Sequence, residues 1–304
     1  HNGRRRQRQM CIRDSITAKS LTVSGITASN KTYDGNAVAT LNTGSVAYSG
    51  LVDGDTFNGT YTGAFSDKNV GTGKTVTITP SYSGADVSNY SITNHADVTA
   101  NITARSLSVS GVTASDKTYD GSVTATMNSS SAVYSGFVSG DDFAASYSGV
   151  FADANVGTGK TVNITSSYSG ADVNNYSVTD QSTTTANITA KALTATASAS
   201  NKVYNGSSAA TVTLSLSGFI GSETVTSTNS STFNDKNVGT GKTVTVNSIT
   251  LSNGNNGGLA ANYSISTGQT TTANITAKAL TVSGITTSNT VSYTHLRAHE
   301  TIAD

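Results

Sequence analysis

The stretch "NVGTGKTVTI" at residues 69–78 admits two readings, and the choice between them decides the fold. Read as a phosphate-cradling loop, Gly71-Thr72-Gly73-Lys74-Thr75 would join a strand to a helix in an α/β nucleotide-binding domain. That loop needs a first glycine five positions before the second, so that several backbone N–H groups curl toward the phosphates. The position holds Lys68. The same words return at 155–162 and 237–244, where the position holds Ala154 and Lys236. No helical pattern follows any copy. The second reading, a turn that launches a β-strand, fits all three, and a stretch copied three times belongs to a repeated domain.

Working outward, Ile16-Thr17-Ala18-Lys19 reappears as Ile102-Thr103-Ala104-Arg105, Ile188-Thr189-Ala190-Lys191 and Ile275-Thr276-Ala277-Lys278, at intervals of 86, 86 and 87 residues. A period of that length is a small domain rather than a solenoid rung. The spacing predicts repeat modules at 16–101, 102–187 and 188–274, with 275–290 as the first strand of a fourth. Length differs between copies where glycine and asparagine cluster, as in "SNGNNGG" (252–258), which marks loops. Within the first copy, alternating runs rich in Val, Ile, Thr, Tyr and Phe predict strands near 21–28, 37–41, 45–49, 57–65, 74–79, 90–93 and 98–104. No window carries a 3.6-residue apolar stripe. About seven short strands per module predict an all-β fold of tandem small β-sandwich, immunoglobulin-like modules. Strands of this length would make each module some 30–40 Å long, so three in line reach on the order of 100 Å.

The ends are of another character. Residues 1–15 ("HNGRRRQRQMCIRDS") and 291–304 ("VSYTHLRAHETIAD") share nothing with the Ser/Thr/Gly/Asn-rich interior, resemble translated sequencing-adapter read-through, and are set aside as artefactual. The basic cluster Arg4, Arg5, Arg6, Arg8 and Arg13, which would suggest a nucleic-acid arm or a signal n-region, goes with them, as does the only cysteine, Cys11. The whole chain balances 18 Lys+Arg against 18 Asp+Glu, and the interior is slightly acidic with dispersed charge, so no footprint for nucleic acid is expected. No run approaches the ~18 apolar residues of a membrane span, and no membrane insertion is expected.

Candidate chemistry meets a bland alternative in every case. "KTYDG" at 31–35 and 117–121 becomes "KVYNG" at 202–206, so a charge-dependent role for Asp34 and Asp120 is not kept by Asn205. Asp-Gly and Asn-Gly both suit tight turns, with Tyr33, Tyr119 and Tyr204 as core or edge anchors. The acidic pairs Asp53/Asp55 and Asp141/Asp142 and the single Glu223 occupy matching loops and read as solvated loop charge; a shared calcium site would need clustered oxygen ligands. His95 is the only interior histidine, with Gln181 at its place in the second copy. One histidine and no interior cysteine assemble neither a triad nor a zinc site. Sequons at Asn89, Asn101, Asn187 and Asn274 arise by chance in such a composition. No catalytic, cofactor-binding or metal-binding residue is assigned, the ligand-binding residues are left unassigned, and no enzymatic activity or cofactor is expected.

The combination "LTVSGITASNKTYDG…FSDKNVGTGKTVTI…SGADVSNYSI…TANITAK" resembles the YDG-type repeat module of large bacterial surface proteins, including filamentous-haemagglutinin-like adhesins of the two-partner secretion pathway. The resemblance covers nearly all of residues 16–290. It implies a mostly-β module used in tandem as stalk or spacer of a secreted adhesin at the bacterial cell surface, an outer-membrane secretion partner, and host glycans or proteins as partners of regions outside this chain. Binding of a glycan or host protein through the repeat loops is the alternative. The chain is expected to be an internal fragment of a longer protein.

Overall fold

The structure is a computed structural model that describes residues 15–288; the expectations placed on 1–14 and 289–304 fall outside the described residues. The described chain is built from β-strands and single 3-10 turns. It divides into two compact units, one ending at Thr189 and one starting at Ala190.

The first unit holds two copies of one arrangement. The first copy runs β1 (Lys19–Ser24), β2 (Thr27–Ala28), β3 (Lys31–Thr32), β4 (Val38–Ala39), β5 (Leu41–Asn42), β6 (Ala47–Ser49), β7 (Asn58–Phe65), β8 (Gly71–Ser83), β9 (Tyr90–Thr93) and β10 (Val98–Thr103). A three-stranded sheet has the order β6-β1-β9, a five-stranded sheet the order β3-β10-β8-β7-β4, and β2 pairs with β5. Two pairings are parallel, β1 with β9 and β10 with β3; the others are antiparallel. Each expected run coincides with a strand. Two runs break in two, and β3, too short to show alternation, is added.

Alternation does what the pattern requires. Along β1, Leu21 and Val23 point inward while Ser20, Thr22 and Ser24 face solvent. Val23 and Ile26 pack on Ile78 of the second sheet, with Tyr48, Tyr61 and Tyr82 beside them, which closes the sandwich. Burying aliphatic side chains of this size stabilises by about 1.5–3 kcal/mol each. Gly25 separates β1 from β2 with φ +82°, and a Cβ there would lie 2.0 Å from the Ser45 carbonyl oxygen. Gly111 repeats this in the second copy with φ +78°.

The two copies are joined closely. β10 ends at Thr103 and the next strand, Arg105–Ser110, opens the second copy's three-stranded sheet, so only Ala104 lies between them. One core cluster runs through both: Tyr33, Ala39, Phe65, Val76, Ala100 and Ile102 pack with Leu107 and Tyr176.

The second unit repeats the arrangement with one change. Its five-stranded sheet orders Lys202–Val203, Thr270–Thr276, Gly239–Asn253, Val225–Phe233 and Ala209–Ala210. Its first strand, Lys191–Ala199, is unbroken and pairs along six residues with Val212–Ser217. The position of Gly25 is held by Ala197 here, and the segment opposite, 212–217 in place of 41–49, is three residues shorter. Residues 277–288 carry no strand, and Leu280, Val282 and Ile285 are exposed.

Candidate functional site

The most repeated residues prove to be turn hardware. In "KTYDG", Lys31 Nζ donates to the carbonyls of Asn36 (2.8 Å) and Val38 (3.0 Å) and pairs with Asp34 at 2.7 Å, above the Phe65 ring. Asp34 also accepts the Asn36 N–H at 3.2 Å. Lys117 with Asp120, and Lys202 with Asn205, repeat the set. Asparagine replaces aspartate here because the turn needs an acceptor rather than a charge. Gly35, at φ +84°, lies against the second module, where a Cβ would meet Val138 Cγ1 at 2.7 Å.

The "NVGTGK" loop holds no phosphate cradle. The strand starts at Gly71, ahead of the expected Lys74, because a register shift opposite Ala100 and Ile102 absorbs the glycines into β8. Gly73, at φ +61°, donates its N–H to Asn101 Oδ1 at 2.7 Å, and Lys74 is paired with Asp67 at 2.8 Å. Gly159 with Asn187 and Lys160 with Asp153 repeat this, as do Gly241 with Asn274 and Lys242 with Asp235. The sequon asparagines Asn101, Asn187 and Asn274 recur because their side chains cap this bulge. Turn formation explains why the stretch is kept.

The densest polar constellation lies between modules 1 and 2. The Asp141 side chain, 3% exposed, accepts the Tyr33 hydroxyl (2.9 and 2.8 Å), the Tyr176 hydroxyl (2.6 Å) and the Lys68 ammonium (3.0 Å). Lys68 also pairs with Asp172 at 2.9 Å. Val70 donates its N–H to Asn175 Oδ1 at 3.0 Å, and Asn175 Nδ2 donates to Asn69 Oδ1 at 3.1 Å. Tyr33 meets Tyr176 edge-on, with ring centroids 5.6 Å apart. Arg105 donates to the Gly136 carbonyl at 2.6 Å. Asp141 is therefore not the solvated loop charge expected of it: the first module covers it, and three donors compensate its burial. Lys68, the residue that breaks the phosphate-loop pattern, is one of those donors.

The electrostatics are mutual. Burial pushes the Asp141 carboxyl up, but hydrogen bonds from Tyr176, Lys68 and Tyr33 more than reverse this and hold it below the usual carboxylate range. Lys68, chiefly through its bonds to Asp172 and Asp141, holds its proton above the ordinary lysine range, and the same pairing lowers Asp172. Desolvation, then the Asp141 contact, raises Tyr33 and carries Tyr176 up to about 12. The lowered carboxylates contribute stability above their unfolded values near ~4, lost as pH falls through the folded values. The raised hydroxyls and ammonium contribute below ~10, lost as pH rises. The melting temperature of residues 15–189 is expected to be flat between about pH 5 and 9 and to fall on both sides. Calorimetry across pH checks this, with Lys68→Ala shallowing the acid limb; an unchanged limb would deny the pairing.

The remaining candidates stay apart. Asp55 accepts the Tyr90 hydroxyl and Glu223 the Tyr263 hydroxyl at 2.7 Å, each within its own module. His95 Nδ1 lies 2.6 Å from the Ala96 carbonyl, whereas Gln181 braces Val112 by two hydrogen bonds, so the two positions do different things. Among the described residues no group of three or more His, Cys, Asp or Glu is placed to hold a metal ion, and no helix is long and apolar enough to cross a membrane. The junction carries no sequence signal beyond the recurrence of Tyr33 and Tyr176, because contact partners some hundred residues apart share no local pattern.

In the first Tyr-Asp-Gly each residue thus plays its own part. The Tyr33 hydroxyl reaches module 2, Asp34 shapes the turn, and the lack of a side chain at Gly35 lets module 2 approach. No curated protein matches the chain. The YDG domain family matches residues 17–100, 103–186 and 189–273, in register with the three copies of the fold. The chain belongs to the YDG domain family, as a tandem array of three of its domains.

Proposed function

We propose that the chain is a non-catalytic spacer of a bacterial cell-surface adhesin, extracellular, which projects a binding region or forms part of an adhesive fibre. The observation that carries this reading is the shared core of modules 1 and 2. A spacer must resist bending between its units. A single residue, Ala104, between consecutive strands and a buried carboxylate held by donors from both sides supply that resistance. The repeated lysines and asparagines are engaged in turns, which supports a structural reason for their recurrence. Passage through an outer-membrane secretion partner, and host-surface glycans or proteins as ligands of regions outside this chain, complete the proposal on the strength of the resemblance to two-partner secretion adhesins.

One observation favours the alternative of binding through the repeats. In module 2 a groove of about 200 Å³ is lined by Tyr134, Phe137, Phe143 and Ala145, and Phe137 is 37% exposed. Aromatic faces of this kind suit sugar rings. However, Phe137 already stacks on Tyr176, and Phe143 packs on Tyr134 and Tyr168. A glycan array probed with the whole chain separates the readings. The spacer predicts no binding at high ligand density; binding abolished by Phe137→Ala would replace it with the second reading.

A further inference from the structure

We propose that the end of module 1 remote from Tyr33 is a second docking seat, built to receive the Tyr-Asp-Gly end of another YDG-family module placed directly ahead of Ile16. This goes beyond the spacer role, since it assigns a binding surface and the chemistry of its partner.

The seat is recognised by its occupied twin. In module 2, Asp141, Tyr176, Asp172, Asn175 and Val138 receive module 1. One repeat earlier, module 1 carries Asp55, Tyr90, Asp86, Asn89 and Val52 at the same places. The internal bonds that hold the set in shape are the same. Val52 N–H donates to the Tyr90 hydroxyl at 2.9 Å, as Val138 N–H does to Tyr176 at 3.0 Å. Tyr90 donates to Asp55 as Tyr176 does to Asp141. Thr56 N–H donates to Asp86 Oδ2 at 2.8 Å, as Asp142 N–H does to Asp172 Oδ2 at 3.0 Å. The acceptors are thus formed in advance, which lowers the ordering cost of binding.

What differs is cover. Asn175 is 3% exposed in the occupied seat, whereas Asn89 is exposed and Val52 is 44% exposed. A groove of about 420 Å³ opens there, lined by residues 16–19, Val52, Asp55, Ser88, Asn89 and Tyr90. Charge complementarity names the partner: a carboxylate pair, Asp55 and Asp86, in the place of the pair that holds Lys68.

A second observation identifies the occupant independently. Ile16 is fully exposed, yet its equivalents Ile102, Ile188 and Ile275 are each 1% exposed, buried in the module whose last strand they end. Ile16 is thus a core residue whose core a preceding module would supply. That partner presents a tyrosine hydroxyl to Asp55, a lysine ammonium between Asp55 and Asp86, and a backbone N–H to Asn89, as Tyr33, Lys68 and Val70 do one module later.

The test extends the full chain by repeating residues 16–101 ahead of Ile16 and follows amide hydrogen exchange at Val52. Protection there is expected to rise about tenfold over the unextended chain, and to fall back with Asp55→Ala or with Lys68→Ala confined to the added copy. Exchange at Val76 of the added copy reports whether it has folded. A folded added module that leaves Val52 unprotected overturns the proposal. So does an added module that stays unfolded while the other three remain intact, since a seat of this kind would support it.

Discussion

Replacing Asp141 by alanine is expected to split the thermal unfolding of residues 15–189 into two transitions and to cost about 3 kcal/mol at the junction. The carboxylate is 3% exposed and is the shared acceptor of Tyr33, Tyr176 and Lys68. Its removal leaves the buried Tyr33 and Tyr176 hydroxyls without their shared acceptor and Lys68 with Asp172 alone, and an uncompensated buried donor costs more than the bond contributed. The matching change Asp55→Ala deprives only Tyr90 of its acceptor and is expected to cost clearly less. Lys68→Ala made on top of Asp141→Ala should do less harm than Lys68→Ala alone, because the two act on one bond set. Differential scanning calorimetry of the four chains provides the comparison. Equal costs for the Asp55 and Asp141 changes would show that the junction holds nothing together.

The second large effect belongs to a glycine. Gly25→Ala is expected to cost about 3 kcal/mol, from the left-handed backbone it occupies and from forced movement of a neighbouring strand turn. The added Cβ would sit 2.0 Å from the backbone oxygen of Ser45, which cannot swing aside as a side chain would. Module 3 shows how the position tolerates alanine: with Ala197 there and a shorter segment opposite, the strand Lys191–Ala199 runs straight on, paired to Val212–Ser217. Gly25→Ala combined with the module 3 segment transplanted into residues 41–49 should therefore recover much of the loss. Denaturant unfolding of the single and combined changes measures both. No rescue would mean that the glycine serves some purpose other than turn clearance.

The fold is largely legible in the sequence, since β-alternation and an 86-residue period are local or one-dimensional signals. Leu21, Val23, Val76 and Ile102 sit where alternation puts them, at 2% exposure or less. β3 and the register shift at Gly71 are not legible, because two residues show no period and a bulge depends on its partner strand. The repeated Lys, Asn and Gly of the turns announce a structural role by their residue types, though the cap from Asn101 to Gly73 joins residues 28 apart and leaves no local pattern. The junction is the least legible part. Asp141 has the sequence context of loop charge because its donors come from Tyr33 and Lys68, 108 and 73 residues away, and burial by a neighbouring module leaves no trace in local composition.

Modules 1 and 2 are expected to move as one body, locked by Asp141. Electron–electron distance measurement between spin labels at Thr79→Cys and Thr165→Cys, in a chain with Cys11→Ser, tests it most directly. A single narrow distance distribution is expected, broadening when Asp141→Ala is added. A broad distribution in the otherwise unaltered chain would contradict it.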